Sequence, residues 1–164
     1  MKLKVQKNFL YISGKRFSCA IGSNGITNSK VEGDGCTPCG KFKFKEIYYR
    51  ADKLGTIKFF NKSIKIQPDD GWCDDPESKF YNKFVKFPFT QSAEKLFRDD
   101  DLYDIICVID YNLNPTLPGK GSAIFLHVAH KDYRGTQGCV AVSKNDLLEI
   151  APQINKDTII DIKN

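Results

Sequence analysis

The stretch FLHVAHKDYRGTQGCVAV, residues 125–142, holds both histidines of the chain, His127 and His130, and Cys139 follows His127 by twelve residues. A cysteine is a nucleophile only as its thiolate, so it needs a base or cation within reach and donors for the oxyanion formed on attack. The sequence offers each. His127 ends an apolar, strand-like run, where a side chain is held rigidly while facing a cleft. Cys139 sits on a polar, glycine-containing turn, YRGTQGC, whose backbone N–H groups lie beside the sulfur. Spacing alone does not separate this from a core histidine and a core cysteine that are neighbours by chance.

The elements that must position these residues are mostly strands. SAIFLHVA (122–129) and LYDIICVIDYN (102–112) read as two core strands joined by the turn NLNPTLPGKG. After Cys139, Ser143 and Asp146 form a Ser-x-x-Asp capping signature, so a helix is predicted from about residue 144. Residues 2–6, 8–12 and 16–22 alternate like an antiparallel meander broken at Ser13-Gly14, and TIIDIK closes the chain as a strand. Residues 21–40 form a turn-rich loop with five glycines, and strands follow near 42–49 and 63–67. Residues 68–89, rich in Asp, Pro and aromatics, are irregular and too long for a mere connector. SAEKLF, 92–97, predicts a short helix capped by Ser92. The fold class is therefore mainly β with a few short helices (α+β), in a single domain over 1–164 without repeats or linkers.

Composition excludes more than it identifies. A content of 41% hydrophobic residues suits a globular chain rather than a disordered one. No apolar run is long enough to span a bilayer. Residues 1–65 carry 14 Lys/Arg against 4 Asp/Glu, a net +10, whereas residues 66–164 carry −5. No Lys/Arg run with interleaved aromatics marks a nucleic-acid surface, and lysines on solvent-facing strand positions account for the basic half. The N-terminus lacks the apolar region and cleavage site of a secretory signal, which leaves a mature form, another export route or a cytoplasmic protein open.

Among the other cysteines, Cys19 and Cys107 lie in apolar runs and read as buried thiols. Cys36 and Cys39 form CTPC, a spacing that suits zinc or a redox pair, but no second ligand pair exists and the motif reads as a turn entering a strand. Trp72 reads as a core plug, and the carboxylates at 69, 70, 74 and 75 as turn and cap residues without calcium-loop spacing. No metal site is expected.

Two blocks together resemble a known family. SAIFLHVA…TQGCVAV is similar to the active-site block of the L,D-transpeptidase catalytic domain (YkuD-type), cysteine enzymes that cross-link bacterial peptidoglycan. GDGCTPCGKFKF, residues 33–44, resembles that family's Thr-Pro-x-Gly-x-Phe block through Thr37, Pro38, Gly40 and Phe42. The resemblance spans roughly residues 19–150 and implies a β-sandwich of that type. It further implies Cys139 as nucleophile on a peptidoglycan tetrapeptide stem, and His127 as base and then acid, oriented by a main-chain carbonyl near Val128. The amides of Gly138 and Cys139, with Gln137, would form the oxyanion site, and Thr136 would shape the turn. The acyl group would pass to an amine acceptor. The alternatives are release to water, as an L,D-carboxypeptidase or amidase, and a catalytically inactive wall-binding domain.

This sequence departs from the family at Gln137, where a histidine is usual, and at Ala141, where arginine or asparagine is common. Its His–Cys gap is also shorter. Arg134 and His130 are candidates to hold the substrate carboxylate, with solvated loop residues as the alternative reading. The resemblance implies no cofactor, peptidoglycan stem peptides as partners, no nucleic acid, no membrane span and a monomer. It also implies a periplasmic or cell-envelope location, although no export signal is visible and a cytoplasmic one stays open.

Overall fold

The alternation of the first twenty residues is realised as a meander: β1 (Lys2–Gln6), β2 (Phe9–Ile12) and β3 (Lys15–Ala20) pair antiparallel in sequence. Leu3, Val5, Leu10 and Ile12 turn inward and are buried, while Lys2 and Tyr11 are exposed and Lys4 is half-buried. The computed structural model describes residues 1–164. Two short strands, β4 (Ile26–Thr27) and β5 (Thr37–Pro38), pair within the glycine-rich loop. Then come β6 (Gly40–Tyr49), a single helical turn α1 (Ala51–Leu54) and β7 (Ser63–Lys65). The segment expected to be irregular contains β8 (Asp70–Cys73) and β9 (Phe84–Lys86), which sandwich no helix but join β10 (Ala93–Lys95) in a three-stranded sheet. The chain ends with β11 (Ile105–Ile109), β12 (Phe125–Val128), β13 (Val140–Val142), α2 (Lys144–Ile150), a 3₁₀ turn (Ala151–Gln153) and β14 (Ile159–Lys163).

The architecture is mainly β, but its large sheet closes into a barrel instead of forming an open two-sheet sandwich. The order β11-β12-β13-β3-β2-β1-β14-β6 returns to its start because β6 also pairs with β11. The cause is the length of β6. Gly40–Lys43 pair with β14, and Phe44–Tyr49 reach on to pair with β11 across the other edge. β1 and β14 run parallel and join the two ends of the chain within the wall.

Two apolar clusters flank that wall. Inside lie Leu3, Leu10, Ile47, Ile105, Cys107, Leu126, Val140 and Val142, together with Leu147, Ile150 and Ile154 from α2 and the turn after it. Outside, Tyr48, Ile106, Val108, Phe125 and Cys139 pack under the small sheet against Trp72 and Leu96. Strands β11, β12 and β13 are thus buried on both faces, which explains why IICVI and VAV show no alternation. Trp72 is a core residue, its ring edge-on to Phe125 at 5.3 Å.

Two helix expectations fare differently. α2 begins where the capping signature placed it, with the Asp146 amide donating to Ser143 Oγ at 3.1 Å. The helix expected over SAEKLF is instead β10. Six residues nucleate a helix poorly, whereas Ala93–Lys95 pair with β8 and the Leu96 amide donates to the Asp70 carbonyl. Leu96 is then fully buried. No helix is long and apolar enough to cross a membrane.

Asn82 ties the small sheet to the barrel. It is buried at a positive φ of 56°, and its Oδ1 accepts from Trp72 Nε1 and from the Ala123 amide, both at 3.0 Å. Its Nδ2 donates to the carbonyls of Tyr111 and Asn112 at 3.2 and 2.8 Å. Replacing Asn82 by Ala strands two buried donors, each costing ~1–3 kcal/mol. The variant should lose about 3 kcal/mol or more of unfolding free energy in urea titration; a loss below about 1 kcal/mol would show that the amide is dispensable.

Candidate active site

β12 and β13 run parallel, with Leu126 opposite Val140 and His127 opposite Ala141. One step back, Cys139 lies beside Phe125, whose amide donates to Cys139 Sγ at 3.3 Å. Strand alternation therefore sends His127 and Cys139 to the same outer face, two residues apart along the wall. There they line a cavity of about 510 Å³ between the wall and the small sheet. His130, Arg134, Thr136 and Gln137 border the same cavity. Gly138 does not border it; its amide donates to Thr136 Oγ1 at 3.1 Å.

The thiol is held by the backbone. Cys139 Sγ donates to the Ala123 carbonyl at 3.1 Å, and Ala123 has a positive φ of 52°. Asn82, through the Ala123 amide, thus fixes the peptide unit whose residue holds the sulfur. Burial pushes the thiol up to about 12, and the charge of Glu94 adds to this, while the Phe125 amide and Lys30 oppose it.

His127 is pinned by its other nitrogen. Nδ1 lies 2.9 Å from the Val128 carbonyl, which can only accept, so Nδ1 carries the proton and Nε2 keeps the basic lone pair. Tyr103 stands edge-on to the imidazole at 5.3 Å. Burial lowers the imidazole to about 4 against the pull of the Val128 and Leu102 carbonyls. Burial therefore favours the neutral form of both groups. Such a pair can pass a proton from sulfur to Nε2 as the sulfur attacks, without a resident thiolate–imidazolium pair.

The turn before Cys139 is built against the glycine-rich loop. Thr136 Oγ1 donates to the Cys139 carbonyl at 2.7 Å, and Thr37 Oγ1 reaches the same carbonyl at 3.4 Å. The two blocks singled out in the sequence thus meet at one atom. Gly138 has φ +140°, and a Cβ there would stand 2.8 Å from the Cys36 carbonyl. At Gly135 a Cβ would meet Ser23 Cα at 2.5 Å. Lys30 lies beneath this turn, its Nζ 2.5 Å from Asp34 Oδ1. The Cys36 thiol donates to the carbonyls of Asn24 and Asp34 at 3.5 and 3.7 Å, and that of Cys39 to the Ile162 carbonyl at 3.3 Å.

Sequence reasoning missed Tyr103, Glu94, Glu32 and Arg98, which also line the cavity, and read Asp74, another lining residue, as a turn or cap residue. Glu94 was hidden by the helical look of SAEKLF, and the others carry no motif. Arg134 Nη2 lies 3.2 Å from both ring nitrogens of His130, and Arg98 lines the same cavity.

A family model described as the L,D-transpeptidase catalytic domain (YkuD) matches residues 4–162. No curated protein and no solved structure matches the chain.

Two pH responses follow. Iodoacetamide modification of Cys139, resolved from Cys36 and Cys39 by peptide mapping, should rise about tenfold per pH unit from pH 7 to 10. A rate already level below pH 7 would mean a resident ion pair. For His127, the unfolded ring takes up a proton near 6.5 and the folded ring only near 4. Its contribution to stability is therefore complete above pH 6.5 and is lost as pH falls towards 4, by about 3 kcal/mol. Denaturant midpoints at pH 7 and 4.5 should differ less in His127→Gln than in the wild type; an equal difference would show that His127 is not the group responsible.

Proposed function

The chain belongs to the family of the L,D-transpeptidase catalytic domain, and on that premise we propose that its single domain, residues 1–164, is a cysteine-dependent acyltransferase acting on peptidoglycan tetrapeptide stems. The observation that carries this reading is one cavity lined by a backbone-held thiol and an imidazole with its Nδ1 fixed on Val128.

The donor stem enters with the carbonyl of its third residue over Cys139 Sγ. His127 Nε2 takes the thiol proton as the sulfur attacks, so charge develops only when the substrate has displaced water from the cavity. The sulfur then leaves its hydrogen bond to the Ala123 carbonyl. The tetrahedral oxyanion is met by the amides of Cys139 and Gln137, because the Gly138 amide already donates to Thr136 Oγ1. Collapse breaks the C–N bond to the terminal D-alanine, whose nitrogen receives the proton from His127. An amine of a second stem attacks the thioester, gives its proton to His127, and releases Cys139 with a new amide formed. Arg134 and His130 hold a carboxylate of the donor. Water in place of the amine gives hydrolysis.

Incubation with tetrapeptide-stem muropeptides should add to the intact mass the donor less D-alanine, and Cys139→Ala should show no gain. His127→Ala should acylate at least about 100-fold more slowly. Dimeric stems among the products identify transfer and trimmed tripeptides identify hydrolysis. No adduct and no product from the wild type would remove the acyl-transfer reading.

A further inference from the structure

The lining of the cavity is also acidic: Glu32, Asp74 and Glu94 all belong to it. None of the three makes a salt bridge within the chain. The nearby cations are committed elsewhere, Arg98 to Asp100 through Nε and Nη2 at 2.9 and 2.6 Å, and Lys30 to Asp34. Glu94 accepts from the Tyr103 hydroxyl at 2.5 Å, and Glu32 accepts from the Tyr81 hydroxyl. These are neutral donors, and Arg98 acts on Glu94 through its charge without forming an ion pair with it. The three carboxylates are close enough that Asp74 and Glu32 both act on Glu94, whose carboxyl is held above the usual range mainly by burial.

Two polar atoms of this corner are buried without any partner: Asp74 Oδ1 and Ser122 Oγ. Ser122 is 8% exposed and lines the cavity, while the neighbouring Tyr81 hydroxyl directs its proton to Glu32. A half-buried acidic corner with orphaned acceptors is costly for an empty fold and suited to a cationic ligand.

We propose that Glu32, Asp74 and Glu94 form a subsite for a primary ammonium group on the ligand bound beside Cys139. Resting on the stem-peptide reading above, and for a donor whose third residue carries both an amine and a carboxylate on its side chain, this assigns that amine to the acidic residues and that carboxylate to Arg134. One ammonium hydrogen-bonded to Asp74 and Glu94 satisfies the orphaned acceptor Asp74 Oδ1. It also offsets the Glu94 charge that holds the Cys139 proton in place, so a correctly charged donor makes the thiol easier to deprotonate.

The test compares two tetrapeptide stems, one with the third-residue side-chain amine free and one with it acetylated. Calorimetry on Cys139→Ala should show the free-amine peptide binding at least about tenfold more tightly. In Cys139→Ala carrying also Asp74→Asn and Glu94→Gln, with an unchanged melting profile, the difference should shrink to about twofold or less. Equal affinities in Cys139→Ala would overturn the subsite without needing the acid variants, as would a full difference surviving their removal. The same peptides on the wild type, read by intact mass, separate the two ideas. Discrimination in binding without any acyl-enzyme keeps the subsite and removes the acyl-transfer chemistry. Acyl-enzyme forming equally fast from both peptides keeps the chemistry and removes the subsite. Failure of either peptide to bind or react removes both.

Discussion

Burial of three neighbouring strands on both faces is the constraint from which the rest follows. β11, β12 and β13 separate the barrel interior from the cluster under the small sheet. A polar group on such a wall must find its partners in the backbone or leave. The Cys139 thiol does so through Ala123 and Phe125, and the His127 ring through Val128. The same dryness that stabilises the wall disfavours the charged form of both groups.

The small sheet gives the wall its second face, and Asn82 decides how that sheet sits. One amide joins Trp72, the Ala123 peptide and the Tyr111–Asn112 turn. Packing on one side and thiol geometry on the other are therefore coupled through a single side chain. The glycine-rich loop completes the enclosure from the opposite direction, where Thr37 and Thr136 converge on the Cys139 carbonyl.

Much of this was legible because it is local. Alternation marked the meander, the Ser143–Asp146 signature marked the start of α2, and apolar runs marked β11 and β12. His127 and Cys139 stood out by rarity and spacing, and the structure sets them on one face. What escaped depends on distant pairing. Barrel closure rests on β6 using both edges over different lengths, which no periodicity records. Glu94 was concealed because Ser92–Phe97 has helix chemistry that a ladder with β8 overrides. Asn82 and Ala123 carry no signal beyond their types, since their roles lie in backbone angles and partners forty-one residues apart.

The parallel pairing of β1 with β14 has a consequence for biosynthesis. The first strand of the chain has its neighbour on one side only after residues 159–163 exist. During vectorial synthesis β1, β2 and β3 can form their hairpins early, but the ring stays open along β1 until the last strand arrives, at a large loop-closure cost in entropy. Enclosure of the interior, and with it the rigid wall that carries the thiol, is thus a late event. A nascent chain on the ribosome holds Cys139 without the barrel that buries it.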